Sequence, residues 1–248
     1  MGSSKYKGSG LKGLRNLNSV KDVGSLLRQL NISPVKALGQ NFLRDDGESQ
    51  SIVESLNCNG DDIVIEIGPG LGALTQYLFG KVKKLILIEF DKNIAELLTE
   101  IFYGYDDVEV INEDAVKFDL TPFFQFGGVK VIGNLPYSSG SEILRNFLTF
   151  PTPVTNAVFM LQKEVAERYS AIPRTKSYGI NTVLICSRWD VEKLNEVSSE
   201  PFFPTPKIKS LVMAPKLIFH GNFGTESSLI PIPHSASMLI SNGVEDKF

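Results

Sequence analysis

The chain has 248 residues, 42% of them hydrophobic and 21% charged, with a formal net charge of −3. Those proportions suit a globular protein with a sizeable core, and the acidic balance argues against a chain that grips nucleic acid by net charge alone. No apolar run approaches the ~20 residues of a membrane span, and the start lacks the apolar region of a signal peptide.

The first twenty residues, rich in Gly, Ser and Lys, read as a flexible arm. Across positions 1–36, Lys5, Lys7, Lys12, Arg15, Lys21, Arg28 and Lys36 stand against the single acid Asp22. Such an arm suits phosphate contacts, a solvated extension or an organelle-targeting segment. In "VKDVGSLLRQL", Val20, Val23, Leu26, Leu27 and Leu30 recur at helical spacing. "ALGQNFLRDD" follows, and then a second helix around Ile52–Leu56.

From Ile63 the pattern alternates. "IVIEI" and "KLILIEF" predict buried strands, and "LGALTQYLFG" and "NIAELLTEIF" predict the helices that follow them. "VEVIN", "VKVIG" and "NAVFML" supply three more strands. Continuous apolar strands alternating with helices point to a parallel sheet covered on both faces. "VEKLNEV" and "SLVMAPKLI" read as a closing antiparallel pair joined by the Pro-rich "EPFFPTPKIK". From about Gly221 no periodicity is sustained. Cys58 and Cys186 sit in apolar contexts without metal-like spacing, so both read as buried, reduced thiols and no metal site is expected.

Chemistry concentrates at the strand ends. In "EIGPGLGALT", Gly68, Gly70 and Gly72 permit a tight turn and close approach of backbone to a ligand, and a helix opening near Leu71 would add unpaired N–H groups. Dinucleotide and S-adenosylmethionine sites share such loops, and a purely structural turn uses the same residues. Glu89, about twenty residues on, is placed to accept both hydroxyls of a ribose. Asp91 reads as the cap of the next helix. Asp114 suits either the amino group of an adenine or a plain turn. Then "VIGNLPY" brings Asn134, Pro136 and Tyr137 to the same edge. The Asn134 amide oxygen and the Pro136 carbonyl are two acceptors for an aromatic amine. Tyr137 offers a face on which a base can stack.

These motifs resemble the ribosomal RNA adenine dimethyltransferases of the KsgA/Dim type over about residues 25–217. "LGQNFL", "EIGPGLGALT", "NLPY", "FMLQKEVAERYSAIPRTKSYG" and "FFPTPKIKS" occur in the family's order. The resemblance implies a doubly wound, Rossmann-like class I methyltransferase fold, with a mostly parallel seven-stranded sheet and an antiparallel last strand. It implies S-adenosyl-L-methionine as cofactor, held by Gln40, Asn41, Leu43, Gly68, Gly70, Glu89, Asp114 and Asn134. The catalytic positions it implies are Asn134, Pro136, Tyr137 and Phe202, the last packing on an extruded base opposite Tyr137. Without the resemblance, Phe202 reads as a core aromatic beside Phe203. Lys163, Glu164 and Arg168 read as a salt-bridged helix face.

The expected activity is dimethylation of N6 on two adjacent adenines near the 3′ end of small-subunit ribosomal RNA. The expected partner is an immature small subunit. The enzyme would act as a monomer in the cytoplasm, or in a mitochondrion or plastid if the arm is a targeting segment. The contrasting readings are a non-catalytic assembly or organellar transcription factor, and a nicotinamide oxidoreductase that would leave "NLPY" and "LGQNFL" without a role. The expected divisions are 1–32 (basic arm and short helix), 33–218 (methyltransferase domain) and 219–248 (an irregular tail in place of a helical RNA-binding domain). Three departures from the family stand out. After "NLPY" come Ser138, Ser139 and Gly140, with Gly140 expected to loosen the loop; Lys209 is expected to alter only the surface; and the end of the chain lacks the family's basic helical stretch.

Overall fold

Strands built from unbroken Val, Ile and Leu need cover on both faces, and this chain supplies it. The computed structural model describes residues 6–18, 23–30 and 40–218. The first elements are α1 (Gly10–Asn18), α2 (Val23–Gln29), β1 (Phe42–Leu43), α3 (Asp46–Ser55), β2 (Ile63–Ile67), α4 (Thr75–Leu78), β3 (Lys84–Glu89), α5 (Lys92–Ile101) and β4 (Val108–Asn112). A 3-10 turn (Thr121–Phe126) leads to β5 (Val129–Asn134), α6 (Gly140–Leu148), β6 (Val154–Gln162), α7 (Lys163–Tyr169) and α8 (Ile180–Cys186). Then come β7 (Trp189–Val197), β8 (Phe202–Phe203) and β9 (Ser210–Leu217).

One seven-stranded sheet has the order β4-β3-β2-β5-β6-β9-β7. Strands β4 through β6 in that order are parallel, while β9 lies antiparallel between β6 and β7. The last strand alone therefore opposes the rest, as the sequence implied. Successive side chains point to opposite faces. Val64, Leu85 and Leu87 join one core with Leu14, Leu27, Ile94 and Leu98, while Ile65, Ile86 and Val131 join the other with Leu144, Phe147 and Trp189. The chain works outward from β2 to β4, then returns to lay β5 on the other side of β2. That reversal leaves a crevice at the carboxyl ends of β2 and β5, where ligands of doubly wound sheets bind.

Several details differ from the sequence reading. Residues 10–18 are not a loose arm: α1 packs on the body, with Leu14 and Leu17 fully buried. That stretch sets three leucines among Gly, Lys, Arg and Asn, and a buried stripe of only two of them escapes a composition argument. In the next helical stretch Val23, Leu26 and Leu27 are buried as expected, whereas Val20 lies outside the described residues. The helix after the glycine loop begins at Thr75, one turn beyond Leu71, because Gly72 has φ +83°, which a right-handed helix cannot contain. With only 4 residues in α4, its macrodipole contributes little to the site. Gly140 does not loosen its loop. It is buried at the start of α6, where a Cβ would lie 2.6 Å from Leu161 Cδ2, so it serves a close approach. A short ribbon went unforeseen: β1 pairs antiparallel with β8, Phe42 opposite Phe203 and Leu43 opposite Phe202. The expected tail, 219–248, falls outside the described residues, as do Lys5, Lys21 and Lys36.

Candidate active site

The crevice between β2 and β5 is a cleft of about 360 Å³, within the roughly 300–1,000 Å³ usual for small-molecule sites. The loop after β2 forms one wall. Gly70 has φ +56° and Gly72 φ +83°, conformations that L side chains adopt only with strain. The Gly72 N–H closes a turn on the Pro69 carbonyl at 2.8 Å. The Gly70 N–H reaches across to Glu89 Oε2 at 3.1 Å.

Glu89 ends β3 and is 4% exposed. Its other oxygen accepts from the Asp91 N–H at 2.9 Å. Burial pushes its pKa up to about 7, against the pull of these N–H donors. A carboxylate offers about four acceptor positions, so two hydroxyls of one sugar can still be received. Asp91 caps α5, accepting from the N–H groups of Asn93 and Ile94. After β4, Asp114 Oδ1 accepts from the Val116 N–H at 2.9 Å. It therefore makes the plain turn and also borders the cleft. The two readings of Asp114 are compatible, since one oxygen suffices for the turn.

The end of β5, the strand beside β2, also borders the cleft. Asn134 Nδ2 donates to the Asn41 carbonyl at 3.0 Å. A carbonyl can only accept, so this bond fixes the sense of the amide and leaves Oδ1 as the acceptor it offers. The Pro136 carbonyl already accepts from the Gly140 N–H at 2.9 Å; its second lone pair is what remains for a guest. Tyr137 is half-buried, its hydroxyl 3.1 Å from Ser210 Oγ at the start of β9. Burial raises the phenol's pKa, opposed by that hydrogen bond.

Gln40, Asn41, Leu43, Gly68, Gly70, Glu89, Asp114, Asn134, Pro136 and Tyr137 all border this one cleft. Phe202 does not. It is 3% exposed and belongs to the core, so it is no open platform facing Tyr137. It stands opposite Leu43 in the β1–β8 ribbon. Of the expected salt-bridged face, Lys163 pairs with Glu167 at 4.0 Å and with Glu196, whereas Glu164 and Arg168 form no ion pair among the described residues. Lys209 approaches Glu196 at 3.5 Å and stays exposed.

Two site residues were missed. Glu66, 1% exposed, borders the cleft and accepts from Thr75 Oγ1 at 2.8 Å. Burial, reinforced by Glu89 nearby, raises its pKa to about 8, so it is mostly protonated at neutral pH. A carboxyl inside a buried apolar strand was the available signal. Ser210, 1% exposed, had none beyond its place in a family block. Both cysteines are half-buried, and burial raises the Cys58 thiol to about 11 and Cys186 in the same direction.

The sequence profile of the family described as "Ribosomal RNA adenine dimethylase" matches residues 33–221. A "Ribosomal RNA small subunit methyltransferase A" of Alkaliphilus metalliredigens is 42% identical over 182 residues, covering 72% of this chain and 63% of that protein. Its namesake in Francisella tularensis subsp. novicida is 39% identical over 180 residues, covering 72% and 69%. This chain thus spans about two thirds of their length. Among solved structures, a dimethyladenosine transferase of Plasmodium falciparum superposes with TM-score 0.61 at 29% identity, over 71% of this chain and 63% of that one. The 23S rRNA methyltransferase ErmE gives TM-score 0.61 at 28% identity, over 73% and 72%. The doubly wound sheet is therefore the Rossmann-like sheet of methyltransferases. With the glycine loop and the Asn-Leu-Pro-Tyr turn bordering one cleft, and this profile running through both, the chain belongs to the ribosomal RNA adenine dimethylase family.

Proposed function

We propose that the cleft holds S-adenosyl-L-methionine beside an extruded adenine and that the protein methylates that adenine twice on N6. The observation that carries this reading is the Asn134 amide, held by the Asn41 carbonyl in the same cleft as Glu89. The donor set fits the nucleoside half of the cofactor. Glu89 suits the ribose hydroxyls, and Ile88, Ala115, Val116 and Asp114, which border the same cleft, suit an adenine ring and its amino group. When bound, the cofactor supplies an electrophilic methyl group already activated on a sulfonium.

The chain's own residues do the positioning. Asn134 Oδ1 and the Pro136 carbonyl accept from the adenine amine, favouring the pyramidal nitrogen whose lone pair can attack. Tyr137 carries the base on its ring. Holding both partners in line is worth several kcal/mol of barrier. Extruding the base costs a few kcal/mol. For the second transfer only one N–H remains, and Asn134 must accept it alone or share it with Pro136. Phe202 acts indirectly, through its cross-strand partner Leu43. The substrate is a pair of adjacent adenines near the 3′ end of small-subunit ribosomal RNA, in an immature particle. The protein works as a monomer in the cytoplasm.

Incubation of undermethylated small subunits with labelled S-adenosylmethionine tests this. The chain is expected to incorporate label, and Asn134→Ala to lose at least about 100-fold in kcat, the scale of removing one well-placed polar group from a reacting centre. Equal, negligible incorporation by both would favour a non-catalytic assembly factor.

A further inference from the structure

The rear of the glycine loop is covered by a helix that lies before the matched residues 33–221. Leu14 of α1 is fully buried, and a Cβ placed on Gly72 would lie 2.5 Å from its Cδ2, so side chain and loop backbone are in direct contact. Asn18, the last residue of α1, donates from Nδ2 to the Gly72 carbonyl at 3.2 Å. That oxygen also accepts from the Gln76 N–H at 3.1 Å, in the turn leading into α4. From Gly72 the bonding continues into the cleft, through the Pro69 turn and then the Gly70 N–H on Glu89. The helix is fixed at its far end as well. The Gly8 N–H donates to the Glu100 carbonyl at 2.8 Å, and Lys7 Nζ lies 4.1 Å from the centre of the Tyr103 ring.

We propose that α1 is a clamp on the glycine loop, with Asn18 and Leu14 as positioning residues that set the affinity for the nucleoside cofactor. A loop with glycines at positive φ is conformationally soft, and ordering it on binding costs free energy. Phe42 restrains it from one side, where a Cβ on Gly70 would lie 3.2 Å from Phe42 Cδ1. Asn18 and Leu14 restrain it at Gly72. The inference rests on reading the cleft as an S-adenosylmethionine site.

Calorimetric titration of the intact chain with S-adenosylhomocysteine, alongside thermal melts without ligand, separates the possibilities. Asn18→Ala is expected to raise Kd about threefold to tenfold, the scale of one hydrogen bond. The KM for S-adenosylmethionine should rise with it, while kcat, the KM for RNA and the melting temperature change little. Leu14→Ala is expected to raise Kd at least as much and to lower the melting temperature. Lys12→Ala, exposed on the same helix, should change neither. An unaltered Kd in Asn18→Ala, in a wild type that binds the ligand, overturns the clamp and leaves α1 as core packing. Should Leu14→Ala fail to fold, Asn18→Ala decides alone. A wild type that takes no S-adenosylhomocysteine overturns the cofactor reading, and the clamp with it.

Discussion

Glu89 is the residue on which the proposed cofactor half of the site turns. Its pKa of about 7 reflects burial that the Gly70 and Asp91 N–H groups only partly offset. Only the ionised form can accept from both hydroxyls of a ribose. Affinity for S-adenosylhomocysteine is therefore expected to rise about tenfold from pH 6 to pH 8, then level off. Glu89→Gln should bind weakly and without that slope, which titrations at several pH values would read. A flat wild-type profile would remove Glu89 from the contact set. Across the cleft, Ser210 holds the Tyr137 hydroxyl. Ser210→Ala is expected to lower kcat about threefold to tenfold, leaving cofactor affinity unchanged. Tyr137→Phe removes the same bond, so adding Ser210→Ala to it should cost little more. Additive losses in single-turnover rates would contradict this coupling.

Between elements, buried polar links matter more than helix dipoles. Glu66 on β2 and Thr75 on α4 are joined by a buried hydrogen bond, and the Glu66 carboxyl titrates near pH 8 in place of 4.5. The folded state holds a proton that the unfolded chain releases, so this group favours folding most below about pH 4.5. Its contribution fades as the pH climbs to about 8. Denaturant unfolding across that window should show stability falling with pH, and Glu66→Gln should flatten the fall. An identical slope in the variant would show that Glu66 is ionised throughout. At the start of α5, Asp91 takes two N–H groups. Asp91→Ala is expected to cost about 1 kcal/mol, seen as a melting temperature lower by about 2–4 °C.

At the scale of the whole molecule, the parallel sheet was legible because "IVIEI" and "KLILIEF" carry no polar alternation and so require two covered faces. The rim was legible because loops, acids and the Asn-Leu-Pro-Tyr turn fall at successive strand ends. What depended on long-range contact was not. Nothing local to Asn41 says that its carbonyl will orient an amide 93 positions away. Ser210 and Tyr137 likewise meet only because β9 inserts beside β6. Phe202 was assigned by its motif to an open face, and the β1–β8 pairing turned it into the core. Leu14 and Leu17 were hidden by their Gly- and Lys-rich neighbours.

The proposed transfer requires one crevice to bring a methylsulfonium and an unstacked purine into reaction, and the identity of the product reveals whether it does. Small subunits lacking the modification would be incubated with the protein and S-adenosylmethionine, and their RNA digested to nucleosides for mass spectrometry. N6,N6-dimethyladenosine is expected at two neighbouring positions near the 3′ end, and is expected to be absent with Asn134→Ala. Methyl groups found on another base or another adenine atom, or no methylated nucleoside from a chain shown to bind S-adenosylhomocysteine, would contradict the proposed transfer.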